Sequence, residues 1–379
     1  MFPTALYIHM PWCIKKCPYC DFNSHQAPKN IPEEAYIKAL IQDLDNDLTY
    51  LPNRTVQSIF IGGGTPSLFS PESYAILFDA ISKRLALTNT IEITLEANPG
   101  TVEKKRFEGY RAVGINRLSL GIQSFNPRHL NLLGRIHDDK EAHTALHIAR
   151  QVGFTNINID IMHTLPSQTP SEALDDLKTA ISYEPEHLSW YQLTIEPQTY
   201  FAKHPPLLPN ESENEQIETQ GFELLASALL SRYEISAFCR EGLQSQHNLN
   251  YWRYGDFYGI GAGAHGKITI EPQKICRTRK KRYPKDYLKP ASPIAATEWL
   301  TPEDVLFEFM LNTSRLEEII AYGLFSERTG FSFELLSPLL DKAKEKGFLQ
   351  YNTEGFQVTP LGRRFTNNLQ ALFLKDFTG

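Results

Sequence analysis

Cysteine is scarce here: five in 379 residues are too few for a disulfide framework. Long apolar runs are missing as well, and none approaches the roughly 20 residues that a helix needs to cross a bilayer. No basic, apolar leader opens the chain, which runs straight into the strand-like stretch ALYIHM. Together these absences point to a cytoplasmic protein with reduced thiols and no transmembrane segment. They leave peripheral contact with a membrane open. Positive charge is in deficit too. With 38 Lys and Arg against 44 Asp and Glu, the net charge is −6, so the reading includes no nucleic-acid partner. One local exception is RTRKKRYPK, residues 277–285, which reads either as a solvated loop or as a contact for an anion or an acidic partner.

What the chain does have is alternation. Short runs rich in β-branched residues at 5–9, 57–61, 91–96, 117–120, 156–162 and 187–193 read as strands. Helical patterns lie between them. Over 32–51, Tyr36, Leu40, Leu44 and Leu48 form one apolar stripe, and SPES offers Ser70 as a cap with Pro71 at the first helical position. Further helices are expected at 101–113, 138–152 and 171–183. Strand–helix units in series imply parallel strands joined by right-handed crossovers. The fold expected is therefore α/β, a partial (β/α) barrel, with a doubly wound sheet as the alternative. Chemistry in such barrels gathers at the C-terminal strand ends. Three units are expected: a barrel over 1–235, an aromatic and glycine-rich connecting region over 236–295, and a smaller α+β domain over 296–379. The last reads as helix, strand, turn, strand, helix, the order of a winged helix, and is expected to dock or cover rather than to bind nucleic acid.

Cys13, Cys17 and Cys20 crowd into the loop after the first strand, in MPWCIKKCPYCDF. A cubic iron–sulfur cluster normally takes four cysteines. Three leave one iron open to a ligand, as catalytic zinc sites keep an open position. The rival is zinc on the three thiolates plus His9, His25 or Asp21. Cys239 and Cys276 read as inert buried thiols. YGIGAGAHG has glycine spacings like a dinucleotide fingerprint, but it lacks the strand–helix setting and the acid downstream.

CIKKCPYC resembles the C-x3-C-x2-C signature of the radical S-adenosylmethionine superfamily, with aromatic Tyr19 before the third cysteine. The longer LYIHMPWCIKKCPYCDFNS resembles the coproporphyrinogen oxidase-like branch, and within it the HemW-type haem chaperones. The resemblance spans nearly the whole chain. It implies the radical S-adenosylmethionine type of partial barrel and a 4Fe–4S cluster on Cys13, Cys17 and Cys20. It also implies S-adenosylmethionine contacts at Tyr7, Tyr19, Gly63, Gly64, Thr65, Glu96, Gln123, Arg135 and Asp160. Of these, Gln123, Arg135 and Asp160 align with positions that serve a second S-adenosylmethionine in the oxidases. On the residues alone, GGG at 62–64 permits close backbone approach, and Glu96 ends a strand where it can meet ribose hydroxyls. The chemistry implied is transfer of one electron to the sulfonium and release of a 5′-deoxyadenosyl radical. That electron needs a donor such as a flavodoxin or a ferredoxin.

Two functions of different kind follow from the same resemblance. One is a haem chaperone that hands haem to an acceptor protein. The other is an oxygen-independent coproporphyrinogen III oxidase. The oxidases carry a further cysteine two residues after the third, where Phe22 stands here. They also have an extension before the cluster motif, where this chain reaches Cys13 after twelve residues. HNLNYW, residues 247–252, resembles the H-N-x-x-Y-W motif associated with haem in the chaperone branch. His247 offers an imidazole to iron, and Tyr251 and Trp252 offer flat apolar faces with polar tips. An aromatic mini-core with a satisfied histidine is the plainer reading of those six residues. His9, His265 and Tyr251 compete with His247 as the axial ligand.

Overall fold

The computed structural model describes residues 3–49, 54–101, 103–289 and 291–374. The end of the helix expected over 32–51, at Tyr50 and Leu51, lies outside the described residues, as does Val102 of the one expected over 101–113.

Six strands in the first half form where the β-branched runs predict them: β1 (Thr4–Met10), β2 (Thr55–Gly63), β3 (Ala86–Ala97), β4 (Arg117–Gln123), β5 (Ile157–His163) and β6 (His187–Gln192). Each pairs in parallel with the next. The helices expected from 32, 70, 138 and 171 start within a residue of those positions, whereas the one expected from 101 starts at Lys104 after a short turn over Pro99–Thr101. Ser70 Oγ accepts from the Ser73 N–H with Pro71 following. Asp138 and Glu141 form a capping box, and that helix ends on Gly153 at φ 94°. Each such cap stabilises its helix by about 1 kcal/mol.

Residues 236–295 are not a connector between two bodies. After β7 (Ser231–Glu234) and β8 (Ala237–Cys239), the strands β9 (Asp256–Ile260), β10 (His265–Glu271), β11 (Lys274–Lys280) and β12 (Ile294–Trp299) join the same sheet. The order is β12-β11-β10-β9-β1-β2-β3-β4-β5-β6-β8-β7, twelve strands in all. Strand β9 lies parallel to β1 and extends the barrel on its other side, while β10, β11 and β12 continue it antiparallel. DFYGI is too short and too aromatic to announce a barrel strand by periodicity, yet all five of its residues are buried.

Side chains alternate across this sheet. Ile59, Ile61, Leu118, Leu120, Ile157 and Ile159 face the helices in the main core. The other face is largely polar, Phe60 apart: Ser58, Glu92, Arg117, Ser119, Asn158 and His187 are all buried. A parallel strand that reads N-I-N-I-D-I is thus apolar outside and polar inside, which leaves the barrel lumen fit for a polar ligand.

The C-terminal unit has its own three-stranded sheet, β13 (Ile320–Ala321), β14 (Leu349–Tyr351) and β15 (Gly355–Val358), in the winged-helix order expected. Its core of Phe309, Phe325, Leu340 and Phe356 continues into Tyr233, Leu249 and Tyr254 of the barrel side. The ion pairs Arg277–Glu308 at 2.6 Å and Arg315–Glu234 at 2.9 Å cross the seam. Among the described residues no helix is long and apolar enough to cross a membrane.

Candidate functional site

The cysteine loop lies across the mouth of the barrel, and backbone bonds fasten it there. Gly64 N–H donates to Met10 O at 2.7 Å, Thr65 N–H to Trp12 O at 2.8 Å, and Ala27 N–H to Cys13 O at 2.8 Å. Asn23 ties the loop to the far edge of the barrel by donating to Ala262 O at 2.8 Å and Arg282 O at 2.9 Å. All three loop thiols are free and half-buried. Burial pushes the Cys13 and Cys20 thiols up from their ordinary range.

Beneath the loop is a cavity of about 780 Å³. It gathers Cys13, Cys17, Tyr19, Cys20, Gly63, Gly64, Thr65, Glu96, Gln123, Arg135, Asp160 and Trp252 onto one surface. Tyr7, His247 and Tyr251 do not line it. Tyr7 lies a layer deeper, with its hydroxyl on His9 Nδ1 at 3.0 Å.

Local geometry explains the residue types. Gly63 sits at φ 110°, and a Cβ there would lie 2.4 Å from the His9 ring. The bare backbone leaves its N–H free to donate to Glu96 Oε2 at 3.0 Å. Glu96 is pushed up to about 7 by burial first and by the Asp160 charge second, with the Gly63 N–H pulling the other way. Asp160 is also raised by burial, against hydrogen bonds from Ser119 and Asn158. Two carboxylates therefore share one enclosed wall, a setting that welcomes a cation or hydroxyl donors. Gln123 closes β4 at φ 70°, a strained conformation for a non-glycine residue that turns its amide toward the cavity, where Oε1 accepts from Tyr191 Oη at 2.7 Å.

Arg135 is not a surface arginine. Its Nη2 donates to Asn98 Oδ1 at 2.5 Å and Gly121 O at 2.7 Å, and Nη1 lies 3.7 Å from Cys17 Sγ. Asn98 also donates to Thr65 Oγ1 at 2.9 Å, so one amide links the glycine loop to the cysteine loop. Asn98, Ser119, Asn158, Ser189, Tyr191 and Arg315 are site residues that the motifs did not single out. For Ser119 and Asn158 the signal was there, in the polar residues that alternate with apolar ones along β4 and β5.

The helix Gln246–Trp252 closes the floor of the barrel. His247 is 1% exposed. Its Nδ1 lies 3.1 Å from Ser58 Oγ, its backbone N–H donates to Glu92, and its ring stacks on Phe60 at 5.0 Å. Nε2 is buried with no partner. Burial, and to a lesser degree Arg117, lowers this imidazole to about 3, so it is neutral at neutral pH. Tyr251 packs edge-on against His247 at 4.8 Å.

The donor set fits an iron–sulfur cluster. Three free thiols front one cavity, a guanidinium stands beside one sulfur, and Cys239 and Cys276 are buried apart from them. Among the described residues no three His, Cys, Asp or Glu side chains converge on a single-ion position.

The profile of the Radical SAM superfamily matches residues 7–180, and that of the HemN C-terminal domain matches residues 300–365. Barrel, cysteine loop and appended domain thus define a protein of the radical S-adenosylmethionine class, which implies a 4Fe–4S cluster and S-adenosylmethionine. The "Heme chaperone HemW" of Haemophilus influenzae is 48% identical over 99% of this chain and 98% of its own. That of Escherichia coli is 47% identical over 99% of both chains, and that of Bacillus subtilis 33% identical over 98% and 99%. The chain belongs to the HemW family. The structure of coproporphyrinogen III oxidase (HemN) from Escherichia coli superposes with a TM-score of 0.81 at 23% identity, covering 98% of this chain and 90% of that one, and the likeness is one of fold.

Proposed function

We propose that the protein binds haem and passes it to an acceptor protein, with a 4Fe–4S cluster on Cys13, Cys17 and Cys20 and S-adenosylmethionine in the cavity beneath. The observation that carries this reading is the position of Trp252. The last residue of HNLNYW lines the same cavity as the three cysteines. A porphyrin face laid on its indole would therefore lie below the cluster, inside the barrel.

In this reading Gly63, Gly64 and Thr65 present backbone to the ligand, and Glu96 accepts from its hydroxyls. Gln123 and Asp160 line the deeper wall, and Tyr7 and Tyr19 pack around the site. Arg135 holds Cys17 and Asn98 in place. The cluster, when bound and reduced, supplies an electron to the sulfonium it chelates. That electron comes from a flavodoxin or ferredoxin, which meets the exposed Lys15, Lys16 and Arg282 beside the loop. His247 is a masked ligand for haem iron. With Nδ1–H donating to Ser58, Nε2 carries the lone pair, and it reaches iron only when the floor helix moves. The setting proposed is the cytoplasm.

The oxidase reading is the rival. It is disfavoured by Phe22, which is 58% exposed at the position where the oxidases carry a further cysteine. The test is a haem titration of anaerobically reconstituted protein, followed by supply of coproporphyrinogen, S-adenosylmethionine and reductant. A saturable Soret band without decarboxylated product is expected. Turnover, with haem bound no better than by an unrelated protein, would reverse the ranking.

A further inference from the structure

The cavity carries charge of both signs. Glu96 and Asp160 make part of its wall acidic, and the guanidinium of Arg135 is engaged by Asn98, Gly121 and Cys17. Arg315 stands in the wall beside Trp252 and Ser236. It follows the helix Pro302–Thr313, so the C-terminal domain supplies it to the barrel. Its Cζ lies 4.3 Å above the Trp252 ring centre. Nη2 donates to Glu234 Oε2 at 2.9 Å, while Glu234 Oε1 already accepts from Ser236 N–H at 3.1 Å and Ser236 Oγ at 3.2 Å. Nε of Arg315 and Nε1 of Trp252 are sealed donors without a partner. Nη1 of Arg315 is neither sealed nor bonded among the described residues, and Arg315 lines the cavity beside the Trp252 ring. That nitrogen lacks an acceptor, best an anionic one.

We infer that Arg315 and Trp252 form the carboxylate end of the cavity and take a propionate of the bound tetrapyrrole. This rests on the haem reading above. The indole carries part of the macrocycle, the guanidinium meets the carboxylate, and Glu96 and Asp160 repel a carboxylate placed beside them. Because Arg315 comes from the C-terminal domain, the ligand bridges that domain and the barrel. The seam between them then becomes part of the binding site.

The test compares haem with its dimethyl ester, in which both carboxylates are blocked, by Soret titration of the reconstituted protein. The unchanged chain is expected to prefer the free acid by about tenfold or more, the range of hydrogen bonds to charged groups. Arg315→Gln should erase that preference by weakening the acid and leaving the ester within about twofold. Arg315→Lys should keep part of it. If Arg315→Gln does not fold because Glu234 is left unpaired, the Glu234→Gln/Arg315→Gln pair removes both charges and gives the same readout. Equal loss of acid and ester, or no loss of either, overturns the assignment of Arg315. Failure of the unchanged chain to bind either form overturns the haem reading itself.

Discussion

The mouth and the floor of this barrel are built from the same alternation of strand residues, yet they differ in every property that matters to a ligand. At the mouth the thiols are half-exposed, glycines leave backbone bare, and the carboxylates of Glu96 and Asp160 share one buried wall. At the floor a histidine is sealed by Phe60, Tyr251 and Ser58, and one ring nitrogen has nothing to do. The mouth is preorganised and the floor is closed. A ligand can enter the first as it stands, and it reaches the second only by displacing a helix.

That contrast can be broken most severely at the mouth. Replacing Cys13, Cys17 or Cys20 by Ala should abolish the cluster chromophore and the bound iron and sulfide, whereas His247→Ala should leave iron content unchanged. Retention of full iron by the triple cysteine variant would remove the cluster from this loop.

Gly63→Ala comes next. It puts a methyl group into the His9 ring at a positive φ, a strain of roughly 1–3 kcal/mol. The melting temperature should fall by several degrees, and S-adenosylmethionine binding should weaken at least tenfold. Normal binding in a stable Gly63→Ala protein would move the ligand away from this backbone.

Acidity separates the two regions as well. Glu96 has a folded-state pKa of about 7, above its ordinary value. In the proposed reading, ionised Glu96 is the form that accepts ribose hydroxyls. Affinity for S-adenosylmethionine should therefore rise about tenfold per pH unit up to 7 and then level, and Glu96→Gln should flatten the profile. At the floor the sign is opposite in kind. His247 is held at about 3, below its unfolded value, so the folded chain binds fewer protons than the unfolded one between the two. Its contribution to stability is present above pH 6.5 and is lost as pH falls, by up to about 1.4 kcal/mol per unit, and His247→Asn should remove that slope in denaturant titrations.

The smallest effect is kinetic. Haem should be captured in a fast phase sensitive to Trp252→Ala and ligated in a slow phase sensitive to His247→Ala. A single phase slowed by both changes alike would mean that the floor is open.

How much of this could be read beforehand follows the same division. The cysteine loop and the six parallel strands were legible, because spacing and β-branched runs are local signals. Strand β9 was not, since its five residues owe their place to pairing with β1 rather than to propensity. His247 was readable as a histidine in a motif, but its enclosure depends on Ser58 and Phe60, which lie nearly two hundred positions earlier. Arg315 had no local mark at all. A lone arginine after a helix becomes a cavity residue only because the C-terminal domain packs on the barrel's seam.

The central claim is that one cavity holds the cluster at its mouth and a tetrapyrrole toward its floor. Electron paramagnetic resonance tests it most directly, with the reduced cluster as reporter and copper(II) protoporphyrin as a redox-inert haem analogue carrying a spin. S-adenosylmethionine should change the cluster spectrum, and the copper porphyrin should then speed the cluster's spin relaxation, measured by power saturation, less so in Trp252→Ala. A cluster whose relaxation is untouched by saturating copper porphyrin would contradict a shared cavity.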